Sequence, residues 1–84
     1  MRIGIIGTGR IASRFADTAF DGIESAYISC VYNPKMKSAE KFAIQHRIEN
    51  YTDSLEEIAI LADALYIASP HETHYQYAKY FLNN

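Results

Sequence analysis

Gly7-Thr8-Gly9-Arg10-Ile11-Ala12 has the G-x-G-x-x-G/A spacing of a turn that cradles a dinucleotide. Each position has a physical reason. Gly7 permits a tight turn, and Gly9 lets backbone approach a pyrophosphate. Ala12 is small enough for a following helix to pack on the preceding strand. Thr8, Arg10 and Ile11 complete the turn, where free N–H groups at the positive end of a helix would meet phosphate. The six-residue pattern is weak by itself. Its place directly behind the apolar run Ile3, Ile5, Ile6 is the stronger signal.

A second candidate is Asn33-Pro34-Lys35. An NAD site usually carries Asp or Glu about 20 residues after the glycines, to accept bonds from the adenosine ribose. No acidic residue occurs between Ser25 and Ala39, and Asn33 occupies the expected place. Its amide bonds a hydroxyl but brings no charge to repel a 2′-phosphate. Lys35 and Lys37 are near enough to attract one, which leans the site toward NADP. The alternative is that Asn33 is a turn residue and the lysines are a solvated helix start.

The third candidate is Ser69-Pro70-His71-Glu72-Thr73-His74. His71 and His74 fit contacts to a nicotinamide or substrate, or polar loop positions. Three-residue spacing with no third ligand is a weak metal signal, and no metal is expected. Ser69 near His71 lacks the support a nucleophilic triad needs. His46 has no company and reads as a surface helix-end residue. Tyr66, Tyr75, Tyr77 and Tyr80 read as packing, and Cys30, in an apolar run, as a buried thiol.

The elements that would position these residues follow from periodicity. Arg2–Ile6 is an apolar run suited to a strand buried on both faces. A helix is predicted from Arg10 to about Phe20, with Ile11, Phe15, Ala19, Ala12 and Ala16 on its apolar face and Arg10, Arg14 and Asp17 outside. Asp21-Gly22 breaks it. Tyr27–Tyr32 forms strand two, ended by Asn33-Pro34. Met36–His46 forms helix two, with Ala39, Phe42 and Ala43 inward. A short third strand is expected around Ile48–Tyr51. Helix three covers about Ser54–Leu61, with capping-box spacing at both Asp53…Glu56 and Ser54…Glu57. Strand four is Ala64–Ala68. Helix four opens at a second capping box, Thr73…Gln76, and runs to about Leu82, burying Tyr77, Ala78, Phe81 and Leu82.

The order βαβαβαβα implies an α/β fold, a parallel sheet with right-handed crossovers. With the glycine turn after strand one, the strand order is expected to be 3-2-1-4, part of a doubly wound Rossmann sheet stopping before strand five. Strand four is then an apolar open edge, which points to a homo-oligomer through that edge.

Composition fits one small domain: 84 residues, 49% hydrophobic, 21% charged, net charge −2. The charge gives no reason to expect nucleic acid or an anionic membrane as partner. No apolar stretch approaches the roughly 20 residues of a membrane span. The single Cys30 and the absence of a signal peptide fit a cytoplasmic setting.

Four segments together resemble the Gfo/Idh/MocA family (glucose-fructose oxidoreductase, inositol dehydrogenase): Ile3 to Ala12; Val31-Tyr-Asn-Pro with Ala39-Glu-Lys-Phe-Ala43; Tyr51-Thr-Asp-Ser-Leu-Glu-Glu57; and Asp63-Ala-Leu-Tyr-Ile-Ala-Ser-Pro-His-Glu-Thr-His74, similar to that family's D-x-V-Y-I-A-T-P-x-x-x-H. The resemblance implies an NAD(P)-dependent oxidoreductase acting on a sugar, polyol or related small molecule. It implies NAD or NADP as cofactor, with Gly7 to Ile11 on the pyrophosphate and Asn33 at the ribose. Ser69, Pro70, His71 and His74 would lie on the nicotinamide side. His71 departs from the Asn often found there. Family members carry a catalytic lysine in an E-K-P motif further on, and a C-terminal domain that binds substrate and mediates oligomerisation. Residues 1–84 are therefore expected to be the N-terminal part of a dinucleotide-binding domain, holding no catalytic residue and inactive alone. The rival expectation is a non-catalytic NAD(P)-binding regulatory protein of the same fold. A weaker one is a Rossmann domain for another nucleotide such as S-adenosylmethionine.

Overall fold

The computed structural model describes residues 1–18, 27–68 and 71–83, with the backbone alone at residues 18, 71–75 and 83. Among the described residues four strands and four helices alternate: β1 (Arg2–Ile6), α1 (Arg10–Thr18), β2 (Tyr27–Tyr32), α2 (Met36–His46), β3 (Asn50–Thr52), α3 (Leu55–Leu61), β4 (Ala64–Ile67) and α4 (His71–Asn83). The strands form one parallel sheet in the order β3-β2-β1-β4, as the sequence predicts. β1 is central because its residues are apolar on both faces.

Two cores follow from the alternation of β1. Ile5 faces α1 and α2, where it is buried with Ala12, Val31, Phe42, Ala43 and Ile48. Ile6 faces the other way, with Cys30, Tyr32 and Ile58, and with Tyr77 and Phe81 of α4 packed against them. Gly4 lies where α3 approaches β1 most closely: a Cβ there would come within 2.9 Å of Ile58 Cγ1 and Leu65 Cδ2. Phe15 of α1 stacks flat on Tyr66 of β4, ring centroids 3.9 Å apart.

β1 and β2 are out of step at one point. Ile3 pairs with Ile28 but Gly4 pairs with Cys30, so Ser29 is an extra residue. Ile28 consequently packs in the first core and Cys30 in the second. The buried Ser29 is accounted for: its Oγ donates to the Leu61 carbonyl at 2.7 Å, and its carbonyl accepts from Asn50 Nδ2 at 3.1 Å. A bulge of this kind resets which face the later residues occupy.

Several boundaries differ from expectation. β3 is Asn50–Thr52, not Ile48–Tyr51, because Ile48 ends the α2 turn instead: its N–H bonds the Ala43 carbonyl at 2.8 Å. Ser54 is not inside α3 but caps it, its Oγ accepting from Glu57 N–H at 3.2 Å. Of the two spacings read there from the sequence, the structure uses the Ser54 cap of the second, while the Ser54 N–H goes to Thr52 Oγ1 at 3.0 Å and not to the Glu57 carboxylate. Ala68 lies just past β4, yet still donates to the Ile6 carbonyl at 2.8 Å. α4 begins at His71, so Thr73 is inside the helix and is not its cap. Ile11 is 62% exposed and Leu82 87% exposed, so neither belongs to the buried face assigned to it. Ala19, Phe20, Asp21 and Gly22 lie outside the described residues, as do Ser69 and Pro70. No helix among the described residues is long and apolar enough to cross a membrane.

Candidate functional site

The carboxyl ends of the strands meet around the glycine turn. β1 has β2 on one side and β4 on the other, so its carboxyl end is where strand order reverses. Open α/β sheets bind ligands at that point. The turn is held there by backbone. Gly7 N–H donates to the Tyr32 carbonyl at 2.8 Å, and Asn33 N–H to the Thr52 carbonyl at 3.2 Å. Gly7 has φ 113°, a conformation that side chains strongly disfavour. Ser13 N–H bonds the Gly9 carbonyl at 3.0 Å. The N–H groups of Arg10, Ile11 and Ala12 precede that bond and have no carbonyl to take within the helix. A Cβ built on Gly9 meets nothing within 4 Å. Space for a ligand is therefore open above the turn, and the exposed Ile11 flanks it.

Side chains tie this turn to the end of β2. Asn33 Nδ2 donates to Thr8 Oγ1 at 2.8 Å, and Asn33 Oδ1 accepts from Lys35 N–H at 2.8 Å. Asn33 is thus both a turn residue and a spacer between the glycine turn and α2. Lys35 is the N-cap of α2 but makes no side-chain cap bond, and it is exposed. A pocket of about 260 Å³ opens beside Thr8, lined by Ser38, Lys41, Phe42 and Gln45 of α2. A larger pocket, about 460 Å³, lies at the amino end of β4 with Asp63, Leu65, Tyr80 and Phe81 in its wall. That is the end of the sheet away from the glycine turn, so size does not mark the site.

The oxidoreductase family with an NAD-binding Rossmann fold, Gfo/Idh/MocA, matches residues 1–84. The chain belongs to that family. This Gfo/Idh/MocA chain is 37% identical to the scyllo-inositol 2-dehydrogenase (NADP(+)) IolU of Bacillus subtilis, over 100% of its own length and 26% of that protein's. It is 31% identical to the uncharacterized oxidoreductase YgjR of Escherichia coli, with the same coverage, 100% and 26%. The chain therefore spans about a quarter of the length of the relatives it matches. Its fold is shared with the crystal structure of scyllo-inositol dehydrogenase from Lactobacillus casei with bound NAD(H) and scyllo-inositol. The TM-score is 0.79 at 22% identity, over 99% of this chain and 25% of that one.

The residues singled out in the sequence of this Gfo/Idh/MocA chain fall into two groups. Gly7, Thr8, Gly9, Arg10, Ile11, Asn33 and Lys35 gather at the carboxyl ends of β1 and β2. His71 and His74 lie on the first turns of α4, directly after β4, and not in a loop. Ser69 and Pro70 lie outside the described residues. Two polar sets escaped the sequence reading. Ser38, Lys41 and Gln45 share one face of α2 through their three- and four-residue spacing, a signal overlooked in favour of the preceding loop. His46 is not a surface residue: its side chain is only 7% exposed, with Nε2 3.0 Å from Ser13 Oγ and Nδ1 3.2 Å from Asp17 Oδ1. Nothing in local spacing links positions so far apart in sequence. Two other titratable groups lie in the second core, Cys30 with its thiol on the Val31 carbonyl at 3.7 Å and Tyr32 beside Tyr77. Loss of hydration pushes the Cys30 thiol up to about 11, with the Glu57 charge adding to it. Burial also pushes the Tyr32 phenol up to about 12, with Tyr77 next in effect, its ring edge-on to Tyr32 at 5.7 Å. Both groups stay protonated near neutral pH and serve as packing.

Proposed function

We propose that this chain is the cofactor-holding end of an NAD(P)-dependent oxidoreductase. The parent enzyme moves a hydride between the nicotinamide and a hydroxyl-bearing carbon of a polyol or sugar. The observation that carries this reading is the glycine turn at the point of strand-order reversal, open above Gly9 and backed by the first-turn amides of α1. Family membership and the inositol dehydrogenase relative support the substrate class.

In this reading Gly7, Thr8, Gly9, Arg10 and Ile11 hold the pyrophosphate. Asn33 and Lys35 border the adenosine ribose. Ser69, Pro70, His71 and His74 border the nicotinamide half. The cofactor supplies the hydride chemistry, and these residues bind and orient it. An acid or base for the substrate hydroxyl belongs to the remaining length of the protein, as does the substrate domain. The chain alone is expected to bind dinucleotide weakly and turn over nothing. Asn33 in place of an acidic residue, with Lys35 and Lys41 close by, favours NADP over NAD. The part-exposed edge β4 is the surface for self-association, and the lone thiol fits the cytoplasm.

Calorimetric titration of NAD and NADP into the chain and its Gly9→Ala and Gly7→Ala variants tests the reading. Gly9→Ala is expected to keep the urea midpoint and lose dinucleotide affinity, because the added methyl meets only ligand. Gly7→Ala is expected to lower stability by about 1–2 kcal/mol through its positive φ. A Gly9→Ala variant that binds as well as the unmodified chain would sink the proposal, as would a preference for S-adenosylmethionine.

A further inference from the structure

We propose that His46 is a positioning residue for the glycine turn, acting through Ser13; for its effect on cofactor affinity this rests on the dinucleotide reading above.

His46 closes α2, and both of its ring nitrogens meet α1. Nε2 lies 3.0 Å from Ser13 Oγ, and Nδ1 lies 3.2 Å from Asp17 Oδ1. Ser13 and Asp17 are four residues apart, so they present their side chains to one face on successive turns. The ring is 4.4 Å from that of Phe42, and the side chain is almost fully covered. An imidazole in such a place is costly unless its nitrogens are satisfied, and here both have partners. Asp17 only accepts, so Nδ1–H faces it, and Nε2 pairs with the Ser13 hydroxyl, which serves as donor to the neutral ring or acceptor from the protonated one.

Ser13 is the link to the site. Its N–H holds the Gly9 carbonyl at 3.0 Å while its side chain holds α2 through His46. The other end of the turn is held by Gly7 N–H on the Tyr32 carbonyl, with Asn33 on Thr8 beside it. The turn is therefore fastened at both ends to the β2–α2 unit. Two ties fix both the rotation of α1 and its position along α2. They thereby fix where the Arg10 and Ile11 amides point.

Ser13, His46 and Asp17 bond in the order of a nucleophilic triad, but the surroundings exclude that role. Ser13 sits inside a helix with its own N–H already taken, and Asp17 is 64% exposed instead of buried behind the ring. The arrangement holds a helix in place.

The two nitrogens can be separated by substitution. His46→Gln places an amide near the position of Nε2 and retains the Ser13 tie. His46→Asn places one near Nδ1 and retains only the Asp17 tie. Ser13→Ala removes the Ser13 tie and keeps a strong helix former, so the fold is preserved. Amide hydrogen exchange at residue 13, whose N–H holds the Gly9 carbonyl, urea unfolding, and NAD and NADP titration are measured on all three. His46→Asn and Ser13→Ala are expected to speed exchange at that amide and weaken dinucleotide binding about tenfold, with His46→Gln within about twofold of the unmodified chain. This ranking is to hold whatever the order of the urea midpoints. Exchange and affinity that merely follow the midpoints, or that do not distinguish Gln from Asn, would overturn the proposal. An unmodified chain that binds neither dinucleotide would count against the cofactor reading alone, and the exchange ranking would still decide the role of His46.

Discussion

The Asn33 amide nitrogen donates to Thr8 Oγ1 across 2.8 Å, joining the end of β2 to the middle of the glycine turn. Its oxygen is engaged by the Lys35 N–H. One uncharged side chain thus sets the spacing of two loops that would flank an adenosine ribose.

Replacing Asn33 by Asp keeps the acceptor for Lys35 but removes the donor to Thr8 and introduces a charge. Affinity for NADP is expected to fall roughly tenfold relative to NAD, equivalent to about 1.4 kcal/mol. The Thr8 hydroxyl can turn to donate to the new carboxylate, so stability is expected to change by less than about 1 kcal/mol. Parallel titrations with the two cofactors and a urea curve separate these effects. An unchanged NADP-to-NAD ratio would show that the 2′ position is read elsewhere.

Gly4→Ala tests the close approach of α3 to β1. The new methyl would press on Ile58 and Leu65 within 2.9 Å. Overpacking is expected to cost about 1–3 kcal/mol, read as a lower urea midpoint with unchanged slope. The glycine turn is separate from this contact, so any cofactor affinity should change little in the folded protein.

The Cys30 thiol is covered in the second core and pushed up to about 11 by loss of hydration. Its reaction with a disulfide reagent is expected to be slow at neutral pH and to become fast in denaturant, because the thiolate is the nucleophile. Fast reaction in native buffer would mean that the core opens readily.

Arg2 and Asp63 clip the amino ends of β1 and β4, with side-chain bonds at 3.1 and 3.5 Å and the Arg2 N–H on the same carboxylate at 2.8 Å. The Arg2 side chain first, and its N–H second, hold the Asp63 carboxyl below its ordinary value of 3.8. Folding therefore gains from the ionised form above that value. The gain is lost as pH falls through it to the depressed folded value. Both groups are open to solvent, so the effect is small. The difference in melting temperature between the chain and Asp63→Asn is expected to be flat above about pH 5 and to shrink on acidification. A difference that persists at the lowest pH would assign the stabilisation to packing.

The architecture was readable because each element carried its own signal. The apolar run Ile3, Ile5, Ile6 marked β1, the size and branching of Tyr27, Ile28, Val31 and Tyr32 marked β2, and the Met36–His46 pattern marked α2 to the residue. Family membership was readable because four segments agreed in order and spacing. The discrepancies arose where two local signals competed or where the partner was distant. Ile48 is apolar enough for a strand, yet its N–H completes the end of α2. Thr73…Gln76 has the spacing of a cap, but the helix already starts at His71. Ile11 has the spacing of a buried helix residue, yet it lies in the first turn beside the open space over Gly9. His46 reads as solitary until the fold brings Ser13 and Asp17 to it. The Arg47 that follows it takes a left-handed conformation at φ 56°, which nothing in its side chain announces.

The extra residue Ser29 has a consequence for comparing relatives of this chain. The bulge lies toward the amino end of β2, and the pairing of Cys30, Val31 and Tyr32 with β1 is regular beyond it. The orientation of the last residues of β2, and so the presentation of Asn33, is set by that later pairing. A one-residue gain or loss at the start of β2 is therefore absorbed before Asn33 is reached. Counting residues from the glycines to Asn33 will misplace its counterpart by one in relatives with a regular strand. Aligning backwards from the end of the strand will not.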